Sequence, residues 1–256
     1  MQSLSAAQLL NVWESGGTRS LPERGLALLA AACPDTTREA LAELNIGRRD
    51  AQLLTLREWT FGPRVFSVSL CPNCGEQLAI GFDLDEIRQH ETAASQTAEA
   101  SDVEQPVKCF SLQHCDYALS FRLLNSLDLD SISGQSDAAV SRRALFERCV
   151  LSAEHKGKAA KPAELPDELI AQLSTRMAQE NPQADMQLAL NCSSCGHKWQ
   201  VLFDIVSFFW REIDEWAQRI LREVHSLASA YGWTQTEILG LSPTRRQIYL
   251  ELIANG

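Results

Sequence analysis

No run of 18 apolar residues occurs in this 256-residue sequence, so no membrane span is expected. Nor does the stretch from Met1 to Trp13 carry the basic cluster and uninterrupted apolar segment of a secretory signal. It is amphipathic, and a cytoplasmic protein is expected. Positive charge is in deficit: 23 Lys and Arg stand against 33 Asp and Glu, a formal net charge of −10. That balance disfavours general nucleic-acid binding, because affinity for phosphate needs clustered cations. Arg48-Arg49, Arg142-Arg143 and Arg245-Arg246 are isolated pairs, suited to helix faces or salt bridges. Catalytic signatures are missing too: there is no nucleophile elbow, no phosphate-cradling glycine loop and no HExxH helix. The carboxylate pairs Asp83-Asp85 and Asp128-Asp130 fall at strand and helix junctions, where capping accounts for them. A protein that is not an enzyme is expected.

What the sequence does have is cysteine, eight in all, and without an export signal these point to a reducing compartment and metal ligation over disulfides. Four of them form two CxxCG knuckles. Cys71-Pro72-Asn73-Cys74-Gly75 runs on to Phe82-Asp83-Leu84, and Cys192-Ser193-Ser194-Cys195-Gly196 runs on to Phe203-Asp204-Ile205. Every equivalence keeps one offset, 121 residues, which two chance motifs would not hold through the following strand. A tight CxxC turn lets two thiolates converge on one ion, and the glycine after it supplies the positive backbone angle the turn needs. Period-two apolar runs flank both knuckles. Phe66, Val68 and Leu70 precede the first, and Leu78, Ile80 and Phe82 follow it; Met186, Leu188 and Leu190, then Trp199, Val201 and Phe203, flank the second. Such runs predict β-hairpins with metal at their tips. The expectation is one structural Zn2+ per chain, held by Cys71, Cys74, Cys192 and Cys195, with four thiolates leaving no open position for a substrate. A redox pair is disfavoured, since neither motif stands between a strand and a helix of a βαβ unit.

Before the first knuckle the pattern is helical. Leu4, Leu9, Leu10, Val12 and Trp13 predict a helix ended by Gly16-Gly17, and Pro22 opens a second through Leu26 to Ala32. Thr36 and Glu39 give a capping-box pattern for a third, and a fourth spans about Arg48 to Trp59. Residues 90–105 are polar and aperiodic and read as a mobile linker. Val107 to Phe110 and Tyr117 to Leu123 read as strands, Val140 to Ser152 as a helix, Lys156 to Lys161 as a flexible loop, and Pro166-Asp167 starts another helix. The domain reading is therefore 1–63 helical, 64–89 first hairpin, 90–105 linker, 106–183 inserted strand-helix region, 184–205 second hairpin and 206–256 helical. The fold class is α+β: mainly helical, with two CxxC hairpins forming a zinc ribbon interrupted by a long insertion.

Some side chains carry two readings. Cys109 and Cys115 with His114 are either a second metal site or half-buried strand cysteines, and His197 is an alternate ligand or a solvent-facing residue. Cys33 and Cys149 lie on apolar helix faces and read as core. His225 reads as a surface side chain.

The C-terminal region is the most strongly patterned. Phe208, Phe209, Ile213, Trp216, Ile220, Val224, Leu227 and Tyr231 recur at helical spacing, and Gly232 closes that helix. Thr234 with Glu237 opens the next helix, and Ser242-Pro243 opens the last. Trp233, Ile238, Leu241 and Tyr249 offer more apolar surface than two short helices bury between themselves, and they are the expected partner-binding residues. Packing against the long helix is the alternative for all four.

Several stretches resemble a known family. Ile46-Gly47-Arg48-Arg49-Asp50-Ala51-Gln52-Leu53-Leu54 leads through Phe61-Gly62 into the Cys71 knuckle. Asn181-Pro182-Gln183-Ala184-Asp185 leads into the Cys192 knuckle, and the tail runs from Leu221-Arg222-Glu223 through Tyr231-Gly232-Trp233 to Arg245-Arg246 and Tyr249-Leu250. The chain resembles zinc-knuckle proteins of contractile phage-tail-like injection systems, grouped with the T-even phage baseplate hub assembly chaperone family. The resemblance implies a non-catalytic assembly or accessory role, with baseplate or tail proteins of a contractile particle as partners and no small-molecule substrate. The competing reading is a zinc-ribbon regulator binding nucleic acid through the terminal helical hairpin. Its second helix offers mainly Arg245 and Arg246.

Overall fold

The computed structural model describes residues 1–88 and 108–255. The linker expected at 90–105 lies outside the described residues. Four helices come first: α1 (Ala6–Gly16), α2 (Leu21–Ala32), α3 (Arg38–Glu43) and α4 (Ile46–Phe61). Side-chain oxygens of Ser5, Ser20, Thr37 and Asn45 accept backbone N–H groups at the starts of these helices. Two of these caps shift the expected boundaries. Thr37, not Thr36, caps α3, and Asn45 starts α4 at Ile46 instead of near Arg48. In each case the residue with extended backbone wins, because only that geometry aims the oxygen at the helix.

Strands β1 (Arg64–Leu70) and β2 (Gln77–Asp83) form an antiparallel hairpin in which Phe66 opposes Gly81 and Leu70 opposes Gln77. A short helix α5 (Leu84–Ile87) follows. The inserted region has its own four-stranded sheet, ordered β3 (Cys109–His114), β4 (Tyr117–Arg122), β5 (Val150–His155), β6 (Lys158–Ala159). Helices α6 (Ser126–Ser131) and α7 (Ala138–Cys149) lie between β4 and β5, and α8 (Asp167–Glu180) comes after β6. The second knuckle hairpin is β7 (Gln187–Asn191) with β8 (Lys198–Leu202), and the chain ends in α9 (Ile205–Tyr231), α10 (Gln235–Gly240) and α11 (Pro243–Asn255).

Three expectations in the insertion are corrected. The helix predicted through Ser152 stops at Cys149, because β-branched Val150 pairs with Phe121 and starts β5. The expected loop at Lys156–Lys161 is instead a hairpin turn into β6, with Lys156 at φ 52° and Gly157 at φ 75°. The strand placed at Val107 to Phe110 is described from Cys109 and continues to His114, and α6 went unforeseen.

Packing explains why the two hairpins sit together. Leu28, Leu29, Leu53, Leu54 and Leu56 of the N-terminal helices share one core with Val65, Leu84, Met186, Phe203, Ile205 and Phe209. Each fully buried side chain of this kind contributes about 1.5–3 kcal/mol. The insertion closes a separate core around Phe121, Phe146, Cys149, Leu169 and Leu173. Along α9, Ile213, Ala217, Ile220, Val224 and Leu227 keep three- and four-residue spacing, so one stripe is buried from the hairpins to the C-terminal helices. Arg57, 2% exposed, is held by Glu212 of α9 through Nε (2.9 Å) and Nη2 (2.6 Å), while Nη1 donates to the Gly62 carbonyl (2.7 Å).

Candidate metal centre

Both knuckles follow one backbone path. The Cys71 N–H donates to the Glu76 carbonyl (2.8 Å) and the Gly75 N–H to the Cys71 carbonyl (2.9 Å). At the second knuckle Cys192 donates to His197 and Gly196 to Cys192, both at 2.9 Å. Gly75 (φ 75°) and Gly196 (φ 71°) occupy the left-handed region that a side chain would strain.

The four Sγ atoms lie within 4.8 Å of one another. Across the pair of knuckles, Cys71 Sγ is 3.7 Å from Cys195 Sγ, and Cys74 Sγ is 3.6 Å from Cys192 Sγ. Tetrahedral ligands at a Zn–S distance of about 2.3 Å stand roughly 3.8 Å apart. A disulfide needs about 2.05 Å. Four cysteines so placed could hold a metal ion, and all four protein ligands would then be thiolates.

Sulfur electrostatics point the same way. Cys195 is lowered to about 6, chiefly by the Asn73 side-chain amide (3.5 Å) and then by the His197 backbone N–H. At Cys74 a backbone hydrogen bond from Glu76 pulls down, but the adjoining sulfurs of Cys195, Cys71 and Cys192 outweigh it and push the thiol up to about 12. Sulfurs this close ionise together only around a cation, and loading one releases thiol protons.

The other sequence candidates are elsewhere. His197 is exposed, stacks on Trp199 (5.8 Å between centroids) and is not among the clustered ligands. Cys109 and Cys115 are exposed, not half-buried, and Cys115 sits in the β3–β4 turn at φ 43°. Among the described residues the four-cysteine group is the one cluster of metal-ligating side chains, so Cys109, His114 and Cys115 do not assemble a second. Cys33 and Cys149 are buried, and burial, then the nearby Asp128 carboxylate, pushes the Cys149 thiol up to about 12. His225 is exposed.

At the C-terminus Trp233, Leu241 and Tyr249, with Glu237 and Arg245, line a groove of about 290 Å3. Ile238 lies beneath it, fully buried against Val224 and Leu227, so three of the four expected partner residues face the groove and the fourth supports it. Arg246 is also buried. Its Nε donates to Glu223 (3.0 Å) and its Nη1 to the Leu241 carbonyl (2.7 Å), which leaves Arg245 as the outward cation of that pair.

Two polar arrangements were not legible beforehand. Asp128, expected only to cap, does join a capping box with Asn125, but its buried carboxylate also accepts from Arg122 and Arg148. A cavity of about 830 Å3 lies between the N-terminal helices and the insertion, with buried Arg49 and Asp50 on its wall. Adjacent opposite charges at the start of α4 were the available signal.

The family model described as T4 bacteriophage base plate protein matches residues 7–210, a span that holds both knuckles and the start of α9. No curated protein and no solved structure matches the chain.

Proposed function

The chain belongs to the T4 bacteriophage base plate protein family, and from that membership we propose that it is a non-catalytic assembly or accessory component of a contractile tail-like particle. In this reading it acts in the cytoplasm of the producing cell as a baseplate assembly chaperone or baseplate-associated part, by contact with other baseplate or tail proteins. The family match over residues 7–210 carries the reading. Two further observations support it. The four-cysteine cluster suits one structural zinc whose thiolates fill its coordination, so the metal organises the chain without meeting a substrate. No described helix is long and apolar enough to cross a membrane.

Zinc at Cys71, Cys74, Cys192 and Cys195 ties the two ends of the insertion together and completes a zinc ribbon from two hairpins. The docking contact falls on the groove of Trp233, Leu241 and Tyr249, which lies beyond the matched span. Aromatic side chains in such grooves are typical binding anchors.

Deletion of the gene tests the reading. Particle number, composition and firing are expected to fall, and the tagged protein to co-purify with baseplate proteins. Normal particles from the deletion strain would overturn it.

A further inference from the structure

Three stretches distant in sequence meet at the cavity beside α4. Ile46, Arg49 and Asp50 come from α4, Asn181, Ala184 and Asp185 from the turn before β7, and Phe203 and Asp204 from the end of the second hairpin. The approach is close: a Cβ on Gly47 would stand 1.8 Å from Asn181 Oδ1, so a side chain at 47 would have to displace the Asn181 amide. Much of the remaining wall is apolar, with Leu21, Leu129 and Ile132 beside Leu124, Phe146 and Met177 of the insertion's core.

On this wall is a buried ion pair with capacity to spare. Arg49 and Asp50 are 4% and 5% exposed. Arg49 Nε (2.8 Å) and Nη2 (2.7 Å) both reach the one oxygen, Asp50 Oδ1, and Asp50 Oδ2 has no partner among the described residues. Asp50 Oδ2 is not sealed from solvent, so it can take a donor that enters the cavity, and a seam that only joins two cores gains little from burying such a pair. Charge gives the sign of what completes it. Among the described residues, Asp50, Asp185 and Asp204 line the cavity with Arg49 as the one cation. The missing partner is therefore a cation on an apolar body, and the volume suits a few side chains.

We propose that this cavity receives an apolar peptide segment of a baseplate protein, with a Lys or Arg of that segment donating to Asp50 Oδ2. The proposal rests on the docking function above for the identity of its occupant. Its chemistry is tested separately, by titrating the purified full-length protein with octylammonium and with octanoate, which share an apolar chain and differ in the sign of the head. Octylammonium is expected to bind saturably, at one equivalent, at least tenfold more tightly than octanoate. Asp50→Asn removes the carboxylate, and Ser174→Trp fills the cavity from α8 without touching α4. Variants that keep their metal content and helical signal are expected to lose tenfold or more in octylammonium affinity and to capture less baseplate protein. Equal binding of the two amphiphiles, or none, overturns the proposal. Selective binding with undiminished capture by both variants overturns it as well, since the site then takes a free amine and no partner segment. If the wild-type protein captures no baseplate protein, the docking function has failed, and the amphiphiles alone decide the charge preference of the cavity.

Discussion

Phe82 and Phe203 meet edge to face, their centroids 5.5 Å apart and their planes at 86°. They are equivalent positions of the repeated hairpin, so two copies of one unit face each other with their knuckles in register. The cysteine contacts follow the same relation: the first sulfur of each knuckle neighbours the second of the other, Cys71 with Cys195 and Cys192 with Cys74. The repeat closes even beyond the strands. Asp83 forms a capping box with Glu86 at the start of α5, and its equivalent Asp204 accepts the Val206 N–H at the start of α9.

Because the hairpins bring sulfurs together from both ends of the insertion, metal removal is expected to separate them. Purified protein should carry one equivalent of zinc. Structural zinc contributes on the order of 10 kcal/mol in small zinc-finger systems. Here the shared core should retain most helical signal after chelation, while the near-UV signature of Trp199 on β8 collapses. Metal analysis giving two equivalents, or a chelated protein with an unchanged near-UV spectrum, would contradict the single site.

Beneath the metal the aromatic pair is a separate support. Phe203 is buried and also touches Phe208 (5.3 Å), whereas Phe82 is half-buried. Phe203→Ala should cost about 3 kcal/mol or more, and Phe82→Ala clearly less, because the cavity left at 203 is enclosed and the one at 82 admits water. Urea unfolding of zinc-loaded variants measures both. Equal costs would mean that the hairpins do not share their load in this way.

The sequence was most legible where one local rule decides. Knuckle glycines, helix caps and the long stripe of α9 each follow from a few neighbouring residues. It was least legible where partners come from afar. Phe66, Val68 and Leu70 alternate as a buried strand face would, yet they point outward at 70%, 56% and 66% exposure. The inward face of β1 is Val65, Ser67 and Ser69 instead, because Val65 joins the shared core and fixes the parity of the whole strand. Asp128 reads locally as a cap, and nothing nearby in sequence announces Arg148 as its second guanidinium. The cavity at Arg49 and Asp50 needs α4, the insertion and the second hairpin to be docked before it exists.

Asp50 and Asp128 should give opposite pH signatures. Burial, with help from Asp204 and against the pull of Arg49, raises Asp50 from 3.8 to about 6. The folded state then holds the proton more tightly than the unfolded one. This group's contribution to stability therefore declines as pH rises from about 4 to about 6, by about 3 kcal/mol in total. At Asp128 burial pushes upward, but hydrogen bonds from Arg122, the Asn125 backbone and Arg148 win, and the carboxyl is lowered. Its contribution is complete above the unfolded value and is lost as pH falls through the folded one. Asp50→Asn should thus flatten the decline between pH 4 and 6. Asp128→Asn should cost about 3 kcal/mol at neutral pH, chiefly by leaving the largely buried Arg122 without its counter-charge, and remove part of the acid sensitivity. Stability measured against pH for both variants checks the signs; parallel profiles would refute the assignment.

The Arg57–Glu212 pair offers an asymmetric test of how α9 is held. Glu212→Gln leaves a nearly inaccessible guanidinium without its counter-charge and should destabilise by about 3–5 kcal/mol. Arg57→Met removes the buried charge and keeps much of the side-chain volume, so its cost should be smaller, and the double variant should recover stability relative to Glu212→Gln alone. A double variant no more stable than Glu212→Gln would show that the lost contact, not the stranded charge, sets the penalty.

The C-terminal groove separates docking from folding by position within a few residues. Ile238 is sealed under the groove, and Ile238→Ala should destabilise the helical hairpin by about 2–5 kcal/mol. Trp233 and Tyr249 stand edge to face at 4.8 Å, with Tyr231 stacked on Trp233 at 4.7 Å, and both line the groove. Truncating either leaves the Ile238 contact to Val224 and Leu227 and the Arg246 bonds to Glu223 in place. Trp233→Ala and Tyr249→Ala should therefore stay folded and keep their metal, while co-purification with baseplate proteins falls by an amount matching roughly 2 kcal/mol or more of binding. Thermal unfolding followed by quantitative co-purification distinguishes the two effects. If the groove variants unfold as readily as Ile238→Ala, the aromatic cluster serves the fold. If they stay folded and co-purify normally, the dock is on another face.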